Sequence, residues 1–180
     1  MNKPKQQGTR LETFAAKMLG GERLPEGGKY DRGDVVFKWN GIDFFVECKA
    51  RQSLNVTREL AKAIKKSKSD FTALIWKRLV KTDKSKRQPD GVPIVVCLPF
   101  ETFCEIIESR KGNEFFVECK ARQSLNVTRE LAKAIKKSKS NFTALVWKRL
   151  VKTGGQRRQP DGVPIIVCLP LDTFIEIVET

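Results

Sequence analysis

This sequence predicts an α/β fold, a mixed β-sheet flanked by helices, with part of it duplicated. Three observations carry that expectation. Apolar residues recur at helical spacing in several segments of the first 108 residues. Between these segments run strand-length stretches rich in Val, Ile and Phe, bounded by Asn-Gly, Pro and Gly turn signals. Finally, Phe44–Ser109 matches Phe115–Thr180 without a gap at an offset of 71, with 54 of 66 positions identical.

The elements follow in order. TRLETFAAKML (Thr9–Leu19) places Leu11, Phe14, Ala15, Met18 and Leu19 at helical spacing, and Gly20-Gly21 is a stop. After a Gly/Pro-rich loop, DVVFKW and IDFFVECKA read as strands joined at Asn40-Gly41, a strong hairpin signal. Val56, Leu60, Ala63 and Ile64 form the apolar face of a second helix, whose remaining surface carries Arg58, Lys62, Lys65, Lys66 and Lys68. FTALIWKRLV is apolar on both faces at first, as a central strand should be, then turns basic at Lys77-Arg78. A Lys-rich loop (81–87) and a Pro89–Gly91 turn lead to PIVVCLP, another buried strand. Phe100, Phe103, Ile106 and Ile107 then give a helix face, with Pro99 near its first turn. The order α-β-β-α-β-β-α implies a mixed sheet between helices.

The repeat sets the domain organisation. Residues 1–108 form a core unit, and 109–180 a near-identical partial copy without the N-terminal helix. Only SRKGNE (Ser109–Glu114) joins them, too short for a flexible linker. The copies are therefore expected to pack directly on each other as a pseudo-dimer, or to exchange elements in a homodimer. Extending the alignment upstream sets Asp34 against Glu105 and Gly41 against Gly112. EIIESRKGNEFFVECK can thus imitate the hairpin DVVFKWNGIDFFVECK, or 100–108 can remain a helix. The hairpin is favoured, because otherwise the second FFVEC strand lacks a partner on its N-terminal side. Leu171–Thr180 would then take the place of the first unit's last helix.

Composition narrows the function. Thirty-five Lys+Arg against 21 Asp+Glu give a formal charge of +14, which favours a polyanionic partner, nucleic acid above all. No apolar run reaches the roughly 20 residues of a spanning helix, so no membrane is expected. MNKPKQQGTR has no apolar signal core, and five cysteines without a CxxC pair suit reduced thiols, so a cytoplasmic protein of a bacterial or phage-host cell interior is expected. The chain has no histidine, which removes Ser-His-Asp and Cys-His catalysis and His-ligated zinc. A metal here would be hard and oxygen-liganded, Mg²⁺ or Mn²⁺. RGD at 32–34 is read as the setting of Asp34 and not as an adhesion site, the NVT and NFT sequons as chance matches, and GGKY lacks the spacing of a P-loop.

The chemistry concentrates in one hairpin. Asp34 opens one strand and Glu47 lies near the end of the other, with Lys49 two residues on. Period-2 alternation puts Glu47 and Lys49 on one face and Cys48 on the other. Two carboxylates can hold a divalent cation, and the lysine can orient a water and stabilise developing negative charge.

Gly33-Asp34 followed by Glu47-Cys48-Lys49, after a helix carrying Glu12, resembles the PD-(D/E)xK nuclease superfamily and its Holliday junction resolvase-like branch. The resemblance covers most of residues 8–108, with Gly33 where the family has proline. It implies a restriction-endonuclease-like sheet and a metal-dependent, structure-selective DNA endonuclease that acts on branched DNA in recombination or repair. Asp34 and Glu47 would be metal ligands, Lys49 the catalytic lysine, and Glu12 an accessory ligand. Nucleic-acid contacts are expected from Arg51, Arg58, Lys62, Lys65, Lys66, Lys77 and Arg78, and in the repeat from Arg129, Lys133, Lys136 and Lys137. Glu105, Glu118 and Lys120 form a possible second site. The alternative is a catalytically impaired DNA-binding protein with a duplicated nuclease fold, natural or engineered.

Overall fold

The computed structural model of the chain describes residues 3–25, 31–81, 86–89, 91–109, 114–138, 140, 142–160 and 163–179. The first unit runs α1 (Lys3–Met18), β1 (Glu22–Arg23), β2 (Val35–Trp39), β3 (Ile42–Arg51), α2 (Val56–Ser67), β4 (Thr72–Arg78), β5 (Val80–Lys81), β6 (Lys86–Arg87), β7 (Val95–Pro99) and α3 (Phe100–Glu108). The repeat adds β8 (Phe115–Arg122), α4 (Val127–Lys137), β9 (Phe142–Arg149), β10 (Val151–Thr153), β11 (Gln156–Arg158), β12 (Ile166–Pro170) and α5 (Leu171–Val178). Helix α1 starts six residues before the expected Thr9, because its polar opening KPKQQG offers no apolar periodicity to read. Of the expected features, residues 26–30, 82–85, 90 and 110–113 lie outside the described residues.

Local chemistry explains several boundaries. Asn40 and Gly41 both take positive φ, 48° and 80°, which lets a two-residue turn join β2 to β3 without splaying them. Asn55 caps α2 by accepting a bond from the Arg58 N–H at 3.2 Å, and Asn126 caps α4 in the same way at 3.2 Å. A Cβ at Gly21 would sit 2.4 Å from the Val36 carbonyl oxygen, so only glycine lets α1 turn into β1 this close to β2.

Eight strands form one mixed sheet in the order β1-β2-β3-β4-β7-β12-β9-β8. β3 and β4 are parallel, as are β8 and β9, each pair bridged by a basic helix; the other neighbours are antiparallel. At the centre β7 and β12 pair antiparallel with Cys97 opposite Cys168, residues equivalent in the repeat. The two halves are therefore related by a local pseudo-twofold axis through that pair. Helices α1, α3 and α5 share one core with one face of the sheet, including Leu11, Val46, Ile75, Ile106 and Phe174. The other face packs Leu60 of α2 and Leu131 of α4 against Leu74, Cys97, Leu145 and Cys168.

The hairpin expected from EIIESRKGNEFFVECK does not form: residues 100–108 are helix α3. Burial decides it. Phe103 and Ile106 are 3% and 0% exposed, and a strand reading would take both out of the core. Phe103 also reaches across the junction to Phe115, edge to face at 5.5 Å, while its equivalent Phe174 on α5 meets Phe44 at 5.8 Å. Each terminal helix thus packs on a strand of the other half, so α5 does cover the first unit's β3, though without displacing α3. One consequence is asymmetry at the sheet ends. β3 is covered by β2 and α1, whereas β8 ends the sheet. Val46 is accordingly 0% exposed and its equivalent Val117 is 45% exposed.

Among the described residues, no helix is long and apolar enough to cross a membrane.

Because the halves share one core, urea should unfold the chain in a single transition. Ile106→Ala and Ile177→Ala, both at fully buried positions, should each cost about 2–5 kcal/mol in that transition. Two separate transitions, with each variant shifting only one, would show that the halves hold themselves independently.

Candidate functional site

Ladder pairing between β2 and β3 starts at Val35 and Val46, and just beyond it the Asp34 side chain supplies an acceptor for the Cys48 N–H. Its Oδ2 accepts the Cys48 N–H at 2.7 Å, while its own N–H donates to the Val46 carbonyl at 2.9 Å. The close approach depends on the residue before it: a Cβ at Gly33 would lie 3.1 Å from the Val46 oxygen. Asp34 is thereby drawn beside the end of β3.

On β3 the expected alternation holds. Cys48 is buried in the α1 face of the sheet, and Glu47 and Lys49 are half-buried on the α2 face, paired in register with Leu74 and Trp76. Lys49 Nζ donates to Glu47 Oε1 and lies 3.9 Å from Asp34 Oδ2. The three sequence-predicted residues Asp34, Glu47 and Lys49 therefore do come together. Burial is the main cause that pushes the Asp34 carboxyl up to about 6, with the Glu47 charge adding to it and the Cys48 N–H and Lys49 opposing.

Lys66, expected on the outer surface of α2, turns into this cluster instead. Its ammonium lies 3.2 Å from Glu47 Oε2 and 2.8 Å from Asp31 Oδ1. Desolvation would lower its pKa, but hydrogen bonds to these two carboxylates prevail and raise it. Asp31 joins the cluster although no motif marked it, and Arg32, met in the sequence only as part of RGD, has a structural task. Arg32 donates to the Ser67 carbonyl at 2.8 Å and stacks 4.2 Å over the Phe45 ring, pinning the loop against α2. The signal was available, as two charged residues immediately precede Gly33-Asp34.

Glu12 comes near the cluster without joining it. Its charge contributes to raising Asp34, yet its carboxylate is paired with Arg23 of β1 at 2.7 Å. Among the described residues no three His, Cys, Asp or Glu side chains converge as a metal-binding group. The oxygen donors on offer are Asp34 and Glu47. That set suits a hard divalent cation, whose charge would relieve the repulsion that Glu47 adds at the Asp34 carboxyl.

The basic residues separate. Arg51, Arg58, Lys62 and Lys65 are exposed, as are Arg129, Lys133, Lys136 and Lys137 in the repeat. Lys77 and Arg78 cannot act together, since adjacent strand residues face opposite ways. Lys77 lines a cavity with Arg10, Leu11 and Phe14 of α1, on the side away from Glu47. Arg78 reaches across the axis to Thr128 Oγ1 at 3.2 Å, and Arg149 reciprocates to Thr57 at 3.0 Å.

The possible second site is only partly assembled. Glu118 and Lys120 pair at 2.5 Å and Lys137 stands 3.8 Å from Glu118. The hydrogen bond from Lys120 holds the Glu118 carboxyl below its ordinary range. Glu105 does not join them. It sits exposed on α3, in the helix layer behind the sheet, while Glu118 faces the α4 side through its register with Leu145.

The Asp34 value gives a test without metal. A carboxyl raised from 3.8 to about 6 in the folded chain contributes stability fully below pH 4 and loses it as pH rises through 6. The side chain is 20% exposed, so about 3 kcal/mol is an upper bound for the two-unit difference. Urea midpoints should therefore fall between pH 4 and 7.5, and Asp34→Asn should flatten that fall and be the more stable protein at pH 7.5. An unchanged slope in the variant would mean another group titrates.

No protein-family model matches this chain, and neither does a curated protein or a solved structure. Its chemistry rests on its own residues and distances.

Proposed function

We propose that the chain is a Mg²⁺-dependent DNA endonuclease of the PD-(D/E)xK type, with a restriction-endonuclease-like core and branched DNA as its substrate, most like a Holliday junction resolvase. One observation carries the reading: a desolvated aspartate at a strand end, a glutamate on the neighbouring strand and a lysine between them, all on the face that also bears the exposed basic helices.

Asp34 and Glu47 would hold the divalent cation through their carboxylate oxygens. The bound cation would supply an activated water and polarise the scissile phosphate. The chain's own residues do the rest. Asp34 is held by the Cys48 N–H, so one of its oxygens is oriented before any ligand arrives. Lys49, bonded to Glu47, would offer its ammonium to negative charge developing on a phosphate held at these carboxylates, and the low exposure of the cluster would strengthen that interaction. Lys66 neutralises Glu47 and Asp31 until substrate or metal competes for them. Arg58, Lys62 and Lys65, with Arg129, Lys133 and Lys136, would neutralise DNA phosphates on either side of the axis.

A second reading has its own observation. Both oxygens of Glu47 are engaged by lysines, and Glu12 is engaged by Arg23. A chain that keeps those ion pairs against metal would bind DNA and not cut it.

Four-way junction DNA separates the two. Cleavage should require Mg²⁺ and stop with EDTA, and Asp34→Asn, Glu47→Gln or Lys49→Ala should each lower the rate about 10²–10⁴-fold with binding retained. Tight binding without cleavage at any Mg²⁺ concentration would establish the second reading. Lys65→Ala and Lys136→Ala should each weaken binding on every DNA sequence and reduce the salt-dependence slope by about one.

A further inference from the structure

We propose that this chain is a nicking enzyme: a nearly twofold DNA-binding frame that carries one catalytic centre, so that each binding event opens one strand of a branch point. The inference rests on the endonuclease reading above and adds the product it makes.

The frame is symmetric where it would meet DNA. Helices α2 and α4 match residue for residue over Val56–Lys66 and Val127–Lys137, with the same Asn cap. Across the axis Phe100 donates its N–H to the Ile165 carbonyl at 2.9 Å and Leu171 donates to Ile94 at 2.8 Å. Reciprocal Arg78–Thr128 and Arg149–Thr57 bonds close the α2/α4 side. An open cavity of about 590 Å³ lies on the axis between the two helix starts, with both arginines and Asn55 and Asn126 on its wall. A two-armed polyanion therefore meets the same groups on each side.

The chemistry is not symmetric. Among the described residues, β3 has β2 beside it, and β2 is preceded by an aspartate that bonds back to β3, an arrangement the other half does not repeat. On the other side, among the described residues, β8 is the last strand of the sheet. The repeat position of Asp34 is Glu105, which belongs to a helix on the opposite face. Among the described residues Glu118 is paired with lysines, Lys120 and Lys137. One half thus presents two carboxylates and a lysine, and the other one carboxylate and its lysines. A bound branch point has a strand at each half, and only one of them meets the full set. Because DNA can bind in either orientation, both strands of a symmetric junction are cut across a population, but one per bound molecule.

The test uses the full chain and a symmetric four-way junction with every strand labelled, in Mg²⁺, with excess unlabelled junction added at the moment of reaction so that released protein cannot rebind. We expect singly nicked junctions, with doubly cut product at least tenfold rarer, and Glu118→Gln should nick as the parent does while Glu47→Gln should nick about 10²–10⁴-fold more slowly. Paired incision within one binding event would overturn the inference while leaving the endonuclease reading intact. So would doubly cut product rising with the square of protein concentration, which would mean that two chains share a junction, or a loss of nicking in Glu118→Gln. Absence of any Mg²⁺-dependent cut would remove both readings together.

Discussion

The antiparallel pairing of β7 with β12 is the interaction on which the rest depends. It joins five strands of the first unit to three of the repeat in one sheet, with Cys97 and Cys168 face to face and both fully buried. Neither strand could stay solvated, since both read as continuous apolar runs with neighbours on both faces. Pairing them also places α3 and α5 side by side, and each reaches an aromatic ring on the other half. The junction is a core in its own right, continuous on both faces of the sheet.

From that constraint follows the unequal completion of the two halves. The centre is used up by pairing, so each half can grow only outward. The first half grows through β3 to β2 and β1, under α1; the second stops at β8. What β2 adds is more than coverage. It ends where Asp34 accepts the Cys48 N–H, and so puts a carboxylate into a place where burial and a second carboxylate both disfavour its charge. The raised carboxyl of Asp34, with Glu47, Lys49 and Lys66 beside it, belongs to the half that β2 and α1 cover. The counterparts of Glu47 and Lys49, Glu118 and Lys120, lie on β8 at the rim of the sheet, where water screens them.

Much of this was legible in the amino-acid order. The Asn40-Gly41 turn, the shared face of Glu47 and Lys49, the amphipathic α2 and the buried central strands are local facts of period and turn chemistry, and the gap-free match made the second unit readable from the first. Alternation likewise sets Lys77 and Arg78 on opposite faces, though their adjacency suggested a joint role. The course of Lys66 was not legible, because a helix pattern cannot tell an exposed lysine from one bent toward a carboxylate on another element. Nor was Glu12's partner, since Arg23 meets it only when β1 folds against α1.

The sharpest division falls at residues 100–114. Their order suits a helix by its Phe100, Phe103 and Ile106 spacing, and suits a hairpin by its match to 29–43. Local preference left the two nearly balanced. The sheet resolved the conflict: with β7 paired to β12, a helix at α3 buries Phe103 and Ile106 against strands of both halves, and a hairpin would leave that core open. By itself the sequence determined the elements, their charge and the residues available for chemistry. Only the tertiary structure decided which carboxylates share a site, because that depends on strands meeting across a junction that no local pattern records.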